Sequence, residues 1–146
     1  IRGFIDLIME YDGETVIGEI KTAKQEVWDT RQSEMKPTEN HMLQLLTYMK
    51  LKKAKEGFFL YENKNTQEIL VIPISMNEKN TRIIEETFAW MCEVWDNFKE
   101  GDLPKRPEGA TKSKMPCTYC PVKKECYAKG GPVGTVEIDL FSVSNI

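Results

Sequence analysis

Gly3-Phe4-Ile5-Asp6-Leu7-Ile8-Met9-Glu10-Tyr11 and, beyond Asp12-Gly13, Thr15-Val16-Ile17-Gly18-Glu19-Ile20-Lys21-Thr22 decide the fold. Ile5 to Tyr11 reads as a β-strand. Asp-Gly is a strong signal for a two-residue turn, so Thr15 to Thr22 is expected to return beside it as a hairpin. The return strand is unusually apolar at its centre, as expected of a central, well-covered strand. Side chains alternate across a strand. Glu19 and Lys21 therefore share a face, and Ile20 is expected to point into the core.

Working outward, residues 23–38 are polar and read as irregular, with Trp28 a candidate surface aromatic. Thr38 can cap a helix over about Glu39 to Lys53, whose apolar face is Met42, Leu45, Leu46 and Met49. Gly57 reads as the end of that unit. Phe58 to Tyr61 and Ile69 to Ile74 read as two further strands, joined through the turn-rich Glu62-Asn63-Lys64-Asn65. Ile84, Phe88, Met91, Trp95 and Phe98 recur at steps of three and four, which predicts a long amphipathic helix over about Glu78 to Lys99. Gly101 would terminate it. Pro104, Pro107, Gly109 and Pro116 mark an extended segment leading to Cys117, Cys120 and Cys126, and Thr135 to Ile146 is a candidate strand or docking tail. The order strand, strand, helix, strand, strand, helix implies an α/β or α+β domain, with a mixed central sheet flanked by helices. The expected organisation is a core over 1–102, a basic cysteine-cluster segment over 103–131 and a C-terminal tail over 132–146.

At 146 residues the chain is long enough for one domain with a real core. A start at Ile1, directly into a strand pattern, suggests that residues are missing upstream. No apolar run approaches the ~20 residues of a membrane span, and no segment reads as a signal peptide, so a cytoplasmic location is expected. The formal net charge of −3 argues against a protein that coats nucleic acid nonspecifically. Positive charge is nevertheless clustered. Residues 103–131 hold seven Lys/Arg, and Lys50, Lys52, Lys53 and Lys55 form a second group. These are either solvated faces or a phosphate track.

Asp6 and Glu19, brought together by the hairpin, can hold a hard divalent cation such as Mg²⁺. Lys21 beside them places a fixed positive charge where a phosphate could sit. Metal-assisted phosphodiester hydrolysis needs that combination. Charged residues in an otherwise buried strand are costly unless paired or metal-bound, which sets this triplet apart from three ordinary surface residues. Gln44 and Tyr48, four apart on one helix, share a face beside the apolar stripe.

Gly3-Phe4-Ile5-Asp6, Gly18-Glu19-Ile20-Lys21-Thr22 and Gln44-Leu45-Leu46-Thr47-Tyr48 resemble, in order and spacing, three consecutive motifs of the PD-(D/E)XK nuclease superfamily. The Gln-x-x-x-Tyr element is similar to that of its RecB-like exonuclease branch. The resemblance implies a restriction-endonuclease-like core. In it Asp6, Glu19 and the Ile20 carbonyl bind Mg²⁺ or Mn²⁺, Lys21 acts at the phosphate, and Gln44 and Tyr48 hold the DNA backbone. It further implies a metal-dependent deoxyribonuclease, an exonuclease on single-stranded DNA ends in bacterial, archaeal or phage-infected cells. Recombination, repair, or phage and CRISPR DNA processing is its expected setting, with a helicase or other repair subunit as a possible partner. Lys50 and Trp28 are further candidate DNA contacts, although a packed Trp28 is an equal alternative.

Three cysteines within ten residues suggest a bound metal rather than a disulfide framework. Cys117-x2-Cys120-x5-Cys126 is similar to the C-terminal half of the iron–sulfur staple of AddB-type helicase–nucleases and CRISPR-adaptation exonucleases. That likeness implies a 4Fe–4S cluster whose fourth cysteine lies upstream of Gly3, with Zn²⁺ as the alternative. Cys92 reads as a small apolar helix residue, and His41 as a surface or cap-region histidine. Two rivals stand beside the nuclease: a non-catalytic nuclease-like DNA-binding or scaffold module, and a zinc-ribbon DNA-binding protein centred on the cysteines.

Overall fold

Asp12 and Gly13 both adopt positive φ, at 51° and 77°, which is what a type I′ hairpin turn demands. They join β1 (Leu7–Tyr11) to β2 (Glu14–Ala23) in the antiparallel register Leu7↔Gly18 to Tyr11↔Glu14. The computed structural model describes residues 3–101, 111, 113, 117–121 and 123–128. β3 (Glu56–Asn63) runs parallel to β2, and β4 (Ile69–Ser75) runs antiparallel to β3, which completes a four-stranded mixed sheet in the order β1-β2-β3-β4. The expected mixed sheet flanked by helices is what the chain forms.

A parallel pair needs a crossover. Here it is made by α1 (Gln25–Glu34) and α2 (Glu39–Lys52). Residues 25–34 are thus helical and not irregular as their polar sequence suggests. The helix carries almost no apolar periodicity; Trp28 is its one buried residue, 3% exposed. Local and tertiary bonds hold it instead. Gln25 Nε2 donates to Asp29 at 2.8 Å and the Thr30 hydroxyl to the Glu26 carbonyl at 2.9 Å. The buried Asn63 amide donates to Gln25 Oε1 at 2.9 Å, tying the start of α1 to the β3–β4 turn.

α2 begins where the sequence places it. The Thr38 hydroxyl accepts from the His41 backbone N–H at 3.4 Å, and Lys53 closes the helix in the left-handed conformation at φ 56°. Gly57 is therefore not its terminator. Gly57 lies inside β3, directly under α2. A Cβ there would stand 2.8 Å from Met49 Sδ and 2.9 Å from the Ile17 carbonyl oxygen. Leu45, Leu46 and Met49 are buried where α2 meets β2 and β3, whose Ile17, Phe59 and Tyr61 are buried as well.

Registers Ile17↔Gly57, Glu19↔Phe59 and Lys21↔Tyr61 put these residues on the same, helix-covered side of the sheet. Ile20 must then face the other way, and it is 45% exposed rather than in the core. The buried position belongs to Glu19.

α3 spans Glu78–Lys99, as predicted, and Gly101 follows at φ 87° with its N–H bonded to the Phe98 carbonyl. The chain divides after Glu85 into two compact units. In the second, the rings of Trp95 and Phe98 stack at 5.8 Å, and a short 3-10 turn (Cys117–Tyr119) precedes α4 (Lys123–Ala128). The expected boundary at 102–103, the proline-rich stretch and the 132–146 tail lie outside the described residues. No helix among those described is long and apolar enough to cross a membrane.

The α2–sheet contact sets a test of the fold. Gly57→Ala forces a methyl against the Ile17 backbone, which cannot move as a side-chain tip can. Overpacking of this kind costs about 1–3 kcal/mol, and urea unfolding should show a loss in that range with an unchanged m-value. An unchanged midpoint would mean that α2 does not ride this close to β3.

Candidate active site

Glu19 and Lys21 stand on the covered face of β2, and α2 brings Gln44 and Tyr48 over them. The Lys21 ammonium donates to Glu19 Oε1 at 2.5 Å and to Gln44 Oε1 at 3.0 Å. Gln44 Nε2 in turn donates to the Tyr48 hydroxyl at 3.3 Å. One continuous chain of polar contacts thus runs from β2 along α2. Gly3 borders its far end, where a Cβ would stand 2.6 Å from the Tyr48 hydroxyl oxygen. The glycine of Gly-x-x-Asp leaves room for that hydroxyl.

Asp6 precedes β1. The first ladder pair is Leu7↔Gly18, so Ile20 has no β1 partner. The Asp6 carboxylate takes that place, accepting from the Ile20 N–H at 3.0 Å. A strand residue directs its N–H and C=O to the same edge, so the Ile20 carbonyl also opens toward Asp6. Asp6, Glu19 and that carbonyl form an all-oxygen set suited to a hard cation.

Glu19 is the electrostatic centre. It is 1% exposed, and its Oε2 is buried with no hydrogen-bond partner among the described residues. Burial pushes its carboxyl above the ordinary value. Lys21 opposes that by hydrogen bond and charge, and neighbouring Asp6 adds to the rise. An orphaned buried carboxylate oxygen beside a second carboxylate is expensive in an empty site. The same arrangement suits a divalent ion, whose charge would satisfy both. Among the described residues no three His, Cys, Asp or Glu side chains converge. Asp6, Glu19 and the Ile20 carbonyl are the described groups that could hold an ion here, in the manner of Mg²⁺ sites with few protein ligands.

The remaining sequence candidates fall elsewhere. Trp28 is packed in the core, so the stacking-platform reading gives way to the packed one. Lys50 is ion-paired with Glu85 at 2.6 Å. At 100° per residue it stands on the far side of α2 from Gln44 and Tyr48. Cys117, Cys120 and Cys126 are half-buried and free, with the Tyr127 hydroxyl donating to Cys117 Sγ at 3.7 Å. They do not gather into a ligand set.

His41 is the residue sequence reasoning undervalued. It lies in the cap region, as read, but its ring is half-buried and its Nδ1 is 2.8 Å from the hydroxyl of the buried Tyr61. Its spacing of three from Gln44 was the available signal.

A family model of the PD-(D/E)XK nuclease superfamily matches residues 1–127, and the chain belongs to that superfamily. Its sheet and helices are consistent with the restriction-endonuclease-like fold. Members are generally nucleases that typically use Mg²⁺ or Mn²⁺, with DNA the substrate the fold suggests. No curated protein matches the chain. Among solved structures, the crystal structure of SSO0001 is similar at 24% identity and a TM-score of 0.38. The match covers 59% of this chain and 39% of that one, so the chain spans about two-fifths of that protein's length.

The buried carboxyl makes a prediction about stability. Glu19→Gln keeps an oxygen for Lys21 and removes the buried charge, so in metal-free buffer near neutral pH it should melt no lower than wild type. The folded-state pKa of Glu19 lies above its unfolded value, so the folded form takes up the proton first as pH falls. Wild type should therefore lose any disadvantage as pH falls through the raised folded-state pKa of Glu19. Mn²⁺ should raise the melting temperature of wild type and not of the variant. A variant melting well below wild type at neutral pH would make Glu19 a structural group.

Proposed function

We propose that this member of the PD-(D/E)XK superfamily is a Mg²⁺- or Mn²⁺-dependent deoxyribonuclease that trims single-stranded DNA ends in recombination, repair, or phage and CRISPR DNA processing. The observation that carries the reading is the buried, half-unpaired Glu19 carboxylate beside Asp6, with Lys21 joining it to Gln44. Asp6, Glu19 and the Ile20 carbonyl would hold the ion, which when bound polarises the phosphate and makes a coordinated water more acidic. Lys21 orients the attacking water or stabilises negative charge growing on the phosphoryl oxygens. Gln44, fixed between Lys21 and Tyr48, positions the phosphodiester, and the Tyr48 hydroxyl offers a second contact to the DNA backbone. The exonuclease preference and a helicase or other repair partner rest on the Gln44-x-x-x-Tyr48 resemblance.

Lys21→Ala tests the chemistry. It should lower kcat on a labelled single-stranded oligonucleotide by orders of magnitude with little effect on KM, because the ammonium acts at the reacting phosphate. Cleavage at the wild-type rate would sink the nuclease assignment. A fold that binds DNA without cutting it would instead show no Mn²⁺ binding dependent on Asp6 and Glu19 by calorimetry.

The cysteines support a second, structural centre. In this reading Cys117, Cys120 and Cys126 supply three ligands of an iron–sulfur cluster, or of Zn²⁺, and the fourth comes from outside the described residues. The spacing is the support, and no catalytic step passes through the cluster. The protein purified without oxygen should be brown and absorb near ~400 nm. Colourless protein with neither iron nor zinc by elemental analysis would leave three ordinary thiols.

A further inference from the structure

His41, Gln44 and Tyr48 follow one another on α2 at steps of three and four, so all three lie on one face. That face looks onto Lys21. Tyr61, the partner of His41, sits directly opposite Lys21 in the β2–β3 register and on the same side of the sheet. The imidazole also packs against the Phe59 and Tyr61 rings, with centroids at 6.3 and 5.9 Å.

The Tyr61 contact admits a tautomer in which His41 offers a donor. The Tyr61 phenol has one proton to give. His41 Nδ1 lies 2.8 Å away and can accept it. A neutral imidazole accepting at Nδ1 carries its proton on Nε2. Burial and the positive charges of Lys21 and Arg31 favour a neutral ring. Among the described residues Nε2 has no protein partner, and it is not one of the buried unpaired atoms. With the phenol as donor to Nδ1, an oriented Nε2–H is open to a ligand, near the cations Lys21 and Arg31.

We propose that His41 is a third substrate-contacting residue of the site, its Nε2–H donating to a non-bridging oxygen of a DNA phosphate next to the one held at Lys21. The proposal rests on the nuclease reading above. Tyr61 is the positioning residue: buried and rigid, it fixes which ring nitrogen faces the strand. The contact serves binding rather than bond cleavage, since the role calls for a neutral donor and no proton leaves it.

Two substitutions separate this from a merely structural histidine. The amide of Asn reaches the Nδ1 position and can still accept from Tyr61, whereas the amide of Gln reaches toward Nε2 and can replace the donor. Binding is read with a labelled single-stranded oligonucleotide in Ca²⁺, and turnover in Mn²⁺. His41→Asn should raise Kd and KM by on the order of tenfold, the scale of a lost hydrogen bond to a charged group, with kcat little changed. His41→Gln should restore both toward wild type. A structural role reverses the order, with Asn benign and Gln damaging. Tyr61→Phe, which keeps the ring, should weaken binding in the same direction as Asn, and it supplies the answer if an α2 variant fails to fold. Wild-type Kd and KM in His41→Asn, or Gln as defective as Asn, would overturn the role of His41 while leaving the nuclease standing. Wild-type protein that does not cut the oligonucleotide would overturn the nuclease reading itself.

Discussion

Everything in the first compact unit is arranged around a carboxylate placed where a carboxylate is costly. Glu19 occupies a core position of a central strand, between Ile17 and Lys21 on the face that α2 covers. An apolar residue there would be cheaper by the ordinary logic of burial. Lys21 compensates only one of its two oxygens. The paired lysine keeps the charge tolerable, and the unpaired oxygen keeps the position incomplete. A buried ion pair of this kind is weak evidence for stability. Its unpaired oxygen is what the proposed metal site rests on.

α2 serves two purposes at once through its periodicity. Leu45, Leu46 and Met49 form the stripe that seals Ile17 and Phe59 from water. His41, Gln44 and Tyr48 form the adjoining stripe that meets Lys21 and Tyr61. The two stripes are rigidly linked because they are one helix. Its depth is set by Gly57, the only residue type whose lack of a side chain admits Met49 so close to β3. Packing therefore fixes the height of the polar stripe above the sheet, and a change that lifted the core stripe would also draw Gln44 from Lys21.

Legibility in the sequence follows the range of the interactions involved. The β1–β2 hairpin was legible because Asp12-Gly13 is a local device. The Thr38 cap and the bounds of α3 were legible because capping and 3.6-residue periodicity are local as well. The grouping of Glu19 with Lys21 came from strand alternation. Which face was buried did not, since Ile20 is the more apolar residue and yet the exposed one. α1 escaped notice because a single side chain, Trp28, anchors it. The roles of Gly3, Gly57 and Lys50 depend on Tyr48, Met49 and Glu85, which lie far along the chain or across elements. The Tyr61–His41 bond spans twenty residues and no motif announces it.

The proton inventory of Lys21 explains how one lysine can be both tethered and available. An ammonium carries three donors. Glu19 takes one and Gln44 another. These two bonds, one from the strand and one from the helix, fix the nitrogen in space and leave a single donor. The side chain retains 20% of its exposure, so that donor has an opening to meet a phosphate or a water. A lysine with no protein partner would sample many rotamers, and ordering it on each encounter would cost side-chain entropy. Here the fold has already ordered it. The buried Glu19 carboxylate helps hold Lys21 in place, and so the most costly feature of the site is also one that orders its lysine.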